Sequence, residues 1–148
     1  MSVVMWGVCL ALASMPAASV RFIETDQFTL AWTHSIEKVR WEEDYRIVTP
    51  EDRSEQKSSR PRLTADHARI RGSAAGMEPP SDARLLDGWY VYQPEQPLEP
   101  VLRLTRSGYT ADYEWCVNGN CVSMESILPS DGGVTLLYAC KNPAALSQ

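Results

Sequence analysis

The chain has 148 residues, of which 44% are hydrophobic and 22% charged, and its formal net charge is −5 at pH 7. A chain of this length is typical of a single domain and can bury enough apolar surface to fold without many cross-links. Its acidity argues against nucleic acid as a partner, because nucleic acid is bound by clustered lysine and arginine side chains.

The charge-free N-terminal segment predicts export. Residues 1–19 contain no charged side chain, and the stretch 3–13 is almost entirely apolar. Small residues at 17–19 match the pattern that signal peptidase recognises, although the lysine or arginine that usually begins such a segment is missing. An uncleaved anchor is the alternative, but the apolar stretch is shorter than the roughly 20 residues that span a bilayer. We therefore expect a signal peptide or N-terminal anchor at 1–19 and a single domain at 20–148. The protein would be periplasmic or secreted, and would contact the membrane only through an uncleaved N-terminal segment.

Two stretches of alternating residues, 28–34 and 39–47, predict a β-hairpin, because the side chains of a strand point alternately to its two faces. One face is mostly apolar and carries Phe28, Leu30, Trp32, His34, Val39, Trp41, Glu43, Tyr45 and Ile47. The opposite face of the second strand is fully charged, with Arg40, Glu42, Asp44 and Arg46. Folding about the intervening loop pairs Trp32 with Trp41 across the strands.

The same register places Glu43 opposite Leu30, so an acid lies on the apolar face, where an ionisable group is costly unless it has a partner. As a functional group, Glu43 would have a raised pKa and would bind a cation or hold a ligand. As a structural group, it would form an ion pair inside the protein with Arg69, Arg71 or Arg106. Both interpretations remain open from the sequence.

His34 also lies on the apolar face, opposite Val39, and Glu37 follows it by three residues. Together they supply half of a zinc site, which needs three or four converging ligands. The only other histidine, His67, lies on a separate strand, so we predict no metal and no cofactor. His34 and Ser35 do not form a catalytic dyad, because neighbouring side chains of a strand point to opposite faces.

The rest of the chain predicts short strands separated by turn signals. The apolar positions of the strand at 63–71 change parity after Ala65, which predicts a β-bulge. Asp87-Gly88 is a turn signal before a strand at 89–92. Further strands are predicted at 101–105, 109–117, 120–124 and 134–140. No segment has a sustained helical period, so we predict an all-β fold, a single small antiparallel sandwich or barrel built of hairpins.

The segment Cys116-Val117-Asn118-Gly119-Asn120-Cys121 predicts a disulfide-bonded hairpin. Asn-Gly favours a two-residue type I′ turn, which makes Cys116 and Cys121 an opposed pair without mutual backbone hydrogen bonds. The Cα atoms of such a pair are about 4.5 Å apart, within the range that a disulfide bridges. Cys140 shares its parity with Val134, Leu136 and Tyr138, so we predict that it is a buried free thiol.

Several of these motifs resemble an uncharacterised bacterial family known only as a domain of unknown function. The resemblance rests on Trp32-Thr33-His34-Ser35-Ile36-Glu37, Trp41-Glu42-Glu43, Gly72-Ser73-Ala74-Ala75-Gly76-Met77, Asp87-Gly88-Trp89 and Leu102-Arg103-Leu104. Ala74 departs from it at a position where glycine is expected. Genes of that family commonly lie beside TAXI-type TRAP transporters, which are solute uptake systems with a periplasmic binding protein. The resemblance therefore implies an exported accessory to a transporter, and no known reaction.

We expect an exported accessory or binding module associated with TRAP-type solute transport, with TRAP transporter subunits or a small solute as its partner. The expected ligand-binding residues are His34, Glu37 and Glu43, together with Gly76 and Met77 in a small-residue loop that either forms an anion-binding nest or is a packed turn. The alternative is a small envelope enzyme that uses Glu43 as a general acid or base. We favour the binding module, because the sequence has no matched partner for Glu43 and no nucleophile elbow or triad spacing.

Overall fold

Two antiparallel β-sheets pack face to face and enclose the core of the protein. The computed structural model describes residues 5–33, 38–50, 60–71, 81–94 and 100–146. The strands are β1 Trp6–Leu12, β2 Arg21–Ile23, β3 Gln27–Thr33, β4 Arg40–Val48, β5 Arg62–Arg71, β6 Arg84–Leu86, β7 Trp89–Tyr92, β8 Leu102–Thr105, β9 Glu114–Val117, β10 Asn120–Ser123 and β11 Val134–Lys141. A 3-10 helix at Met124–Ser126 follows β10, and the short helix α1 at Pro143–Leu146 follows β11. The predicted all-β fold is confirmed, in the form of a sandwich.

The smaller sheet has the strand order β2-β1-β11-β8, and the larger sheet has the order β10-β9-β3-β4-β5-β7-β6. Alternate side chains of the inner strands face the core, as the period of a strand requires. The smaller sheet contributes Val8, Leu10, Leu12, Leu104, Leu137 and Ala139, and the larger sheet contributes Phe28, Leu30, Tyr45, Ile47, Leu63, Ala65 and Trp115. No helix in the described ranges combines the length and the hydrophobicity needed to cross a membrane.

The predicted central hairpin consists of β3 and β4, and its predicted register is confirmed. Trp32 pairs with Trp41, and Leu30 pairs with Glu43. The predicted bulge lies in β5, where the extra residue Asp66 shifts the pairing with β4. Both halves of β5 therefore keep aliphatic side chains toward the core.

Two tight turns have the geometry that their sequences predict. Asn118-Gly119 between β9 and β10 has φ angles of 52° and 82°, and Asp87-Gly88 between β6 and β7 has φ angles of 51° and 85°. Positive φ at both central residues is the signature of a type I′ turn. Cys116 lies opposite Cys121 with the Cα atoms 4.0 Å apart, and the predicted disulfide joins them.

Strand β1 is the largest element that sequence reasoning did not predict as a strand. It lies inside the segment 1–19 that predicts an export signal, yet it forms an interior strand between β2 and β11. All seven of its residues pair with β11, and Val8 and Leu10 are fully buried. The export signal stays a prediction, but cleavage after Ser19 would remove this strand from the sandwich.

The prediction of a free thiol at Cys140 is wrong. Cys140 of β11 is bonded to Cys9 of β1 across a Cα separation of 5.9 Å, and the described residues include no free cysteine. The parity predicted for β11 is also wrong, because Thr135, Leu137 and Ala139 are its buried residues. The error has a physical source: both faces of this strand are largely apolar, so alternation does not specify which face is inward.

Candidate functional site

Glu43 lies on the inner face of the larger sheet, within a row of cross-strand neighbours. Leu30 of β3 is on one side and Ala68 of β5 on the other, and Tyr92 of β7 continues the row. Side chains in such a row contact one another directly. Ala68, whose side chain ends at Cβ, therefore lies between Glu43 and Tyr92 in this row.

Five aromatic side chains lie near Glu43 through strand register or ring contacts, and we call the whole group the Glu43 recess: Trp32, Trp41, Glu43, Tyr45, Tyr92 and Tyr113. The rings of Trp32 and Trp41 stack across the strands at a centroid distance of 6.0 Å. Tyr113, just before β9, packs on Trp32 at 6.0 Å with the ring planes tilted by 56°. Tyr45 is buried, whereas the other members are half-buried. Glu43 and the four half-buried rings therefore retain partial access to solvent.

The carboxylate of Glu43 lies among phenol groups. The hydroxyl of Tyr45 donates a hydrogen bond to Glu43 Oε1 at 2.9 Å. Burial raises the pKa of Glu43, and this hydrogen bond offsets only part of the rise. Burial also raises the pKa values of Tyr92 and Tyr113, and the negative charge of Glu43 raises them further. Tyr45 therefore bonds the carboxylate directly, and Tyr92 and Tyr113 lie within its electrostatic influence.

The three arginines expected as structural partners of Glu43 are engaged elsewhere. Arg69 binds carboxylates on the outer face of the larger sheet, and Arg71 lies over the ring of Trp89 at 5.1 Å. Arg106 is held by acidic groups near the 3-10 helix. Among the ion pairs of the described residues, none includes Glu43.

The outer face of β4 carries a ladder of ion pairs, as its alternating charges predict. Glu42 accepts hydrogen bonds from Arg40 at 2.7 Å and from Arg69 at 2.6 Å. Asp44 accepts from Arg69 at 2.9 Å and from the Thr29 hydroxyl at 2.6 Å. Burial alone would raise the pKa of Asp44, but the bonds from Arg69 and Thr29 hold it below its ordinary value. The acids of this face are therefore matched by cations within the protein.

Arg106 is a structural cation. It is 2% exposed, and its guanidinium makes two hydrogen bonds of 2.9 Å to the Asp112 carboxylate. It also donates to Thr135 at 3.1 Å and to Glu125 at 3.3 Å. Burial alone would raise the pKa of Asp112, but Arg106 holds it below its ordinary value. These contacts connect the end of β8 with β11 and the 3-10 helix. The carboxylates of Asp112 and Glu125 balance the charge of Arg106.

Of the predicted ligand-binding residues, Glu43 lies in the described part of the chain. His34, Glu37, Gly76 and Met77 lie outside the described residues. Within the described ranges, no group of three or more His, Cys, Asp or Glu side chains converges in a way that would hold a metal ion.

Sequence reasoning did not identify Tyr92 and Tyr113 as members of the site. Tyr92 lies one strand beyond β5 in the row of Glu43, and Tyr113 lies just before β9. No local sequence pattern predicts either placement, because each depends on the pairing of distant strands. The alternation of Trp89-Tyr90-Val91-Tyr92 indicates a strand, without specifying its neighbour.

Two other depressions lie outside the Glu43 recess. A groove of about 730 Å³ is lined by Trp6, Tyr138 and Leu136, with Arg62 and Lys141 among its basic residues. A second depression, of about 430 Å³, lies over the ion pairs on the outer face of the larger sheet. Glu43 is not among the described residues that line either of them.

Comparison with known families matches the chain to a domain family whose function is not known. Residues 28–124 match a family described as a domain of unknown function, DUF1850. The matched range contains every member of the Glu43 recess and leaves out β1, β2 and β11. Comparisons with curated proteins and with solved structures gave no match. Because the match spans more than half of the chain, this protein belongs to the DUF1850 family.

Proposed function

We propose that this chain is an exported binding module that takes part in TRAP-type solute transport and binds a small molecule in the Glu43 recess. The observation that carries the binding role is the placement of Glu43, a half-buried carboxylate among aromatic rings with no ion pair among the described residues. An ionised group in such a place is costly unless a partner compensates it. A bound ligand is such a partner.

Support for the location comes from the cysteines. Both disulfides suit an oxidising compartment outside the cytoplasm, since cytosolic thiols are kept reduced. Support for the association with transport comes from the resemblance to a family whose genes lie beside TAXI-type TRAP transporters. TRAP transporter subunits and the transported solute are the proposed partners.

His34, Glu37, Gly76 and Met77 belong to the proposed site through their positions in the chain. The segment with His34 and Glu37 follows β3, and the segment with Gly76 and Met77 follows β5. The ends of β3 and β5 both lie at the Trp32–Trp41 end of the recess, because Trp41 pairs with Trp32 and with Ile70.

The second candidate is a small envelope enzyme in which Glu43 is a general acid or base. The raised pKa of Glu43 favours it, since an acid–base catalyst works best when its pKa lies near the working pH. The polar groups described near Glu43 are phenols, whose ordinary pKa of about 10 makes them poor partners for acid–base chemistry at neutral pH. In a binding role, both the carboxylate and the aromatic rings would contact the ligand. Catalysis would require a further reactive group beside Glu43.

The test is solute uptake in a strain that lacks the gene and is complemented with wild type, Glu43→Gln or Glu42→Gln. We expect the Glu43 variant to lose uptake and the Glu42 variant to retain it, because Glu42 is paired on the outer face. Mass spectrometry of small molecules co-purified with the envelope protein should show a compound absent from Glu43→Gln. Normal uptake with a stable Glu43 variant would contradict the proposal.

A further inference from the structure

The aromatic rings of the Glu43 recess are oriented in more than one direction. Trp32 and Trp41 are nearly parallel, with 18° between their planes, whereas Tyr113 is tilted by 56° against Trp32. Tyr45 and Tyr92 complete the surroundings of the carboxylate. Indole and phenol rings carry negative charge on their faces and attract cations placed over them.

The charge of the recess discriminates between classes of ligand. An anion would be repelled by Glu43, and a neutral sugar would leave the carboxylate without a counterion in a partly desolvated place. A divalent metal ion prefers several oxygen ligands, whereas the recess offers one carboxylate and phenol hydroxyls. An alkylated ammonium group is weakly hydrated and has no need of a full oxygen shell, so it suits both the carboxylate and the ring faces.

We infer that the ligand of the Glu43 recess is a small organic cation carrying a substituted ammonium group, held between the Glu43 carboxylate and the aromatic faces. The inference rests on the proposed binding function and adds the chemical class of the ligand. Glu43 supplies the charge, and Trp32, Trp41 and Tyr92 supply the apolar contact.

Binding should weaken in mild acid. The carboxylate attracts the cation only when it is ionised, and burial raises the pKa of Glu43 above its ordinary value. The titratable groups that interact with Glu43 in the described structure are the phenols of Tyr45, Tyr92 and Tyr113, which stay neutral in this range. Affinity should therefore fall as the pH decreases through the raised pKa of Glu43.

The experiment is calorimetric titration of the full, disulfide-bonded chain with choline and with 3,3-dimethyl-1-butanol, a neutral compound of the same shape. We expect choline to bind at least about tenfold more tightly than the alcohol, on the scale of a carboxylate and cation–π contact. Glu43→Gln should abolish that preference, whereas Glu42→Gln should retain it. Tyr92→Leu removes one of the proposed ring contacts and should bind choline more weakly than the wild type.

The outcomes separate this inference from the proposed function. Equal binding of choline and the alcohol, or no binding of choline to the wild type, would overturn the organic-cation inference. If succinate or glucose bound in a Glu43-dependent manner, the ligand class would be wrong while the binding function stood. Unchanged choline binding in Tyr92→Leu would show that this ring does not contact the cation, and would overturn the aromatic part of the inference. Thermal unfolding of each variant shows whether weakened binding reflects the site or the fold.

Discussion

Glu42 and Glu43 are neighbours in the chain, yet strand alternation gives them opposite environments. Glu42 lies on the outer face and accepts hydrogen bonds from Arg40 and Arg69. Glu43 lies on the inner face, where its carboxylate accepts from the Tyr45 hydroxyl and burial raises its pKa. The pair therefore offers a natural comparison: the same side chain, one matched by cations within the protein and one facing the recess.

Replacement of Glu43 by glutamine should leave the protein at least as stable as wild type at neutral pH. Because the pKa of Glu43 is raised in the folded state, folding binds its proton more tightly, and stability falls as the pH rises from the unfolded value through the folded pKa. Glutamine removes this loss and can still accept the hydrogen bond from Tyr45. Thermal unfolding of wild type and Glu43→Gln should be compared between about pH 4 and pH 8. We expect similar unfolding temperatures for the two proteins in acid, and an equal or higher unfolding temperature for the variant at neutral pH.

Glu42→Gln is the matched control and should lose about 1 kcal/mol at neutral pH, because it weakens two partly exposed ion pairs. If Glu43→Gln were the more destabilised of the two, Glu43 would have a cationic partner inside the protein. That result would support the structural interpretation of Glu43.

The sequence was sufficient to predict Glu43 as a candidate and insufficient to predict its surroundings. Parity alone placed the acid on the apolar face opposite Leu30, because hairpin register depends on neighbouring residues. Tyr92 and Tyr113 belong to strands or loops far along the chain, and no local pattern specifies how distant strands pair. The alternative in which Glu43 pairs with an arginine depends on distant packing in the same way, and in the structure Arg69 and Arg106 pair with other carboxylates.

At the scale of single elements, the β3–β4 hairpin is stabilised by a cross-strand tryptophan pair that is half-buried and stacked at 6.0 Å. We expect Trp32→Ala and Trp41→Ala each to cost about 1–3 kcal/mol, less than a fully buried aromatic. The double variant should lose less than the sum, because both rings share one contact. Urea unfolding of the three variants measures both quantities.

Trp115 supplies the control for this element. It is 5% exposed and stacks on Phe28 at 4.4 Å, so Trp115→Ala should cost about 3–5 kcal/mol. Strictly additive losses for Trp32 and Trp41 would show that the two rings do not interact.

The elements that were predicted correctly share a local signal, and those that were missed lack one. Alternation and Asn-Gly or Asp-Gly turns specify β3, β4, β7, β9 and β10. Strand β1 is uniformly apolar, which also describes an export signal, and β2 and β6 are three residues long. The inward face of β11 was predicted wrongly because either face is apolar enough to be buried. Where the local sequence is compatible with more than one arrangement, tertiary packing determines which arrangement forms.

At the scale of the whole molecule, the Cys9–Cys140 disulfide joins residues 131 positions apart, whereas Cys116–Cys121 joins residues 5 positions apart. In the chain-entropy account, closing the longer loop contributes about 5 kcal/mol and the shorter about 2 kcal/mol. Replacing both cysteines of each pair by alanine should therefore lower the urea midpoint more for Cys9 and Cys140. An equal or larger loss for Cys116 and Cys121 would contradict this account, and thiol labelling of unfolded wild type should find no free cysteine.

Deletion of residues 1–19 should prevent folding. Strand β1 lies between β2 and β11, so its loss exposes both neighbours and removes Val8 and Leu10 from the core. We expect residues 20–148 to lack the near-ultraviolet circular dichroism of the full chain. A cooperative unfolding transition in the shortened protein would show that β1 is dispensable, and N-terminal sequencing of envelope protein would then establish whether the segment is removed after export.

The central claim is that Glu43 is a charged group kept for a ligand. Its most direct test is the pKa of the Glu43 carboxyl group, followed by NMR through the chemical shift of the carboxyl carbon, with and without choline. The account predicts a pKa above the ordinary glutamate value in the free protein, because burial dominates. Choline should lower that pKa, because a bound cation favours the ionised form. A pKa below the ordinary value in the free protein, unchanged by choline, would show that Glu43 is already paired within the protein and would contradict the account.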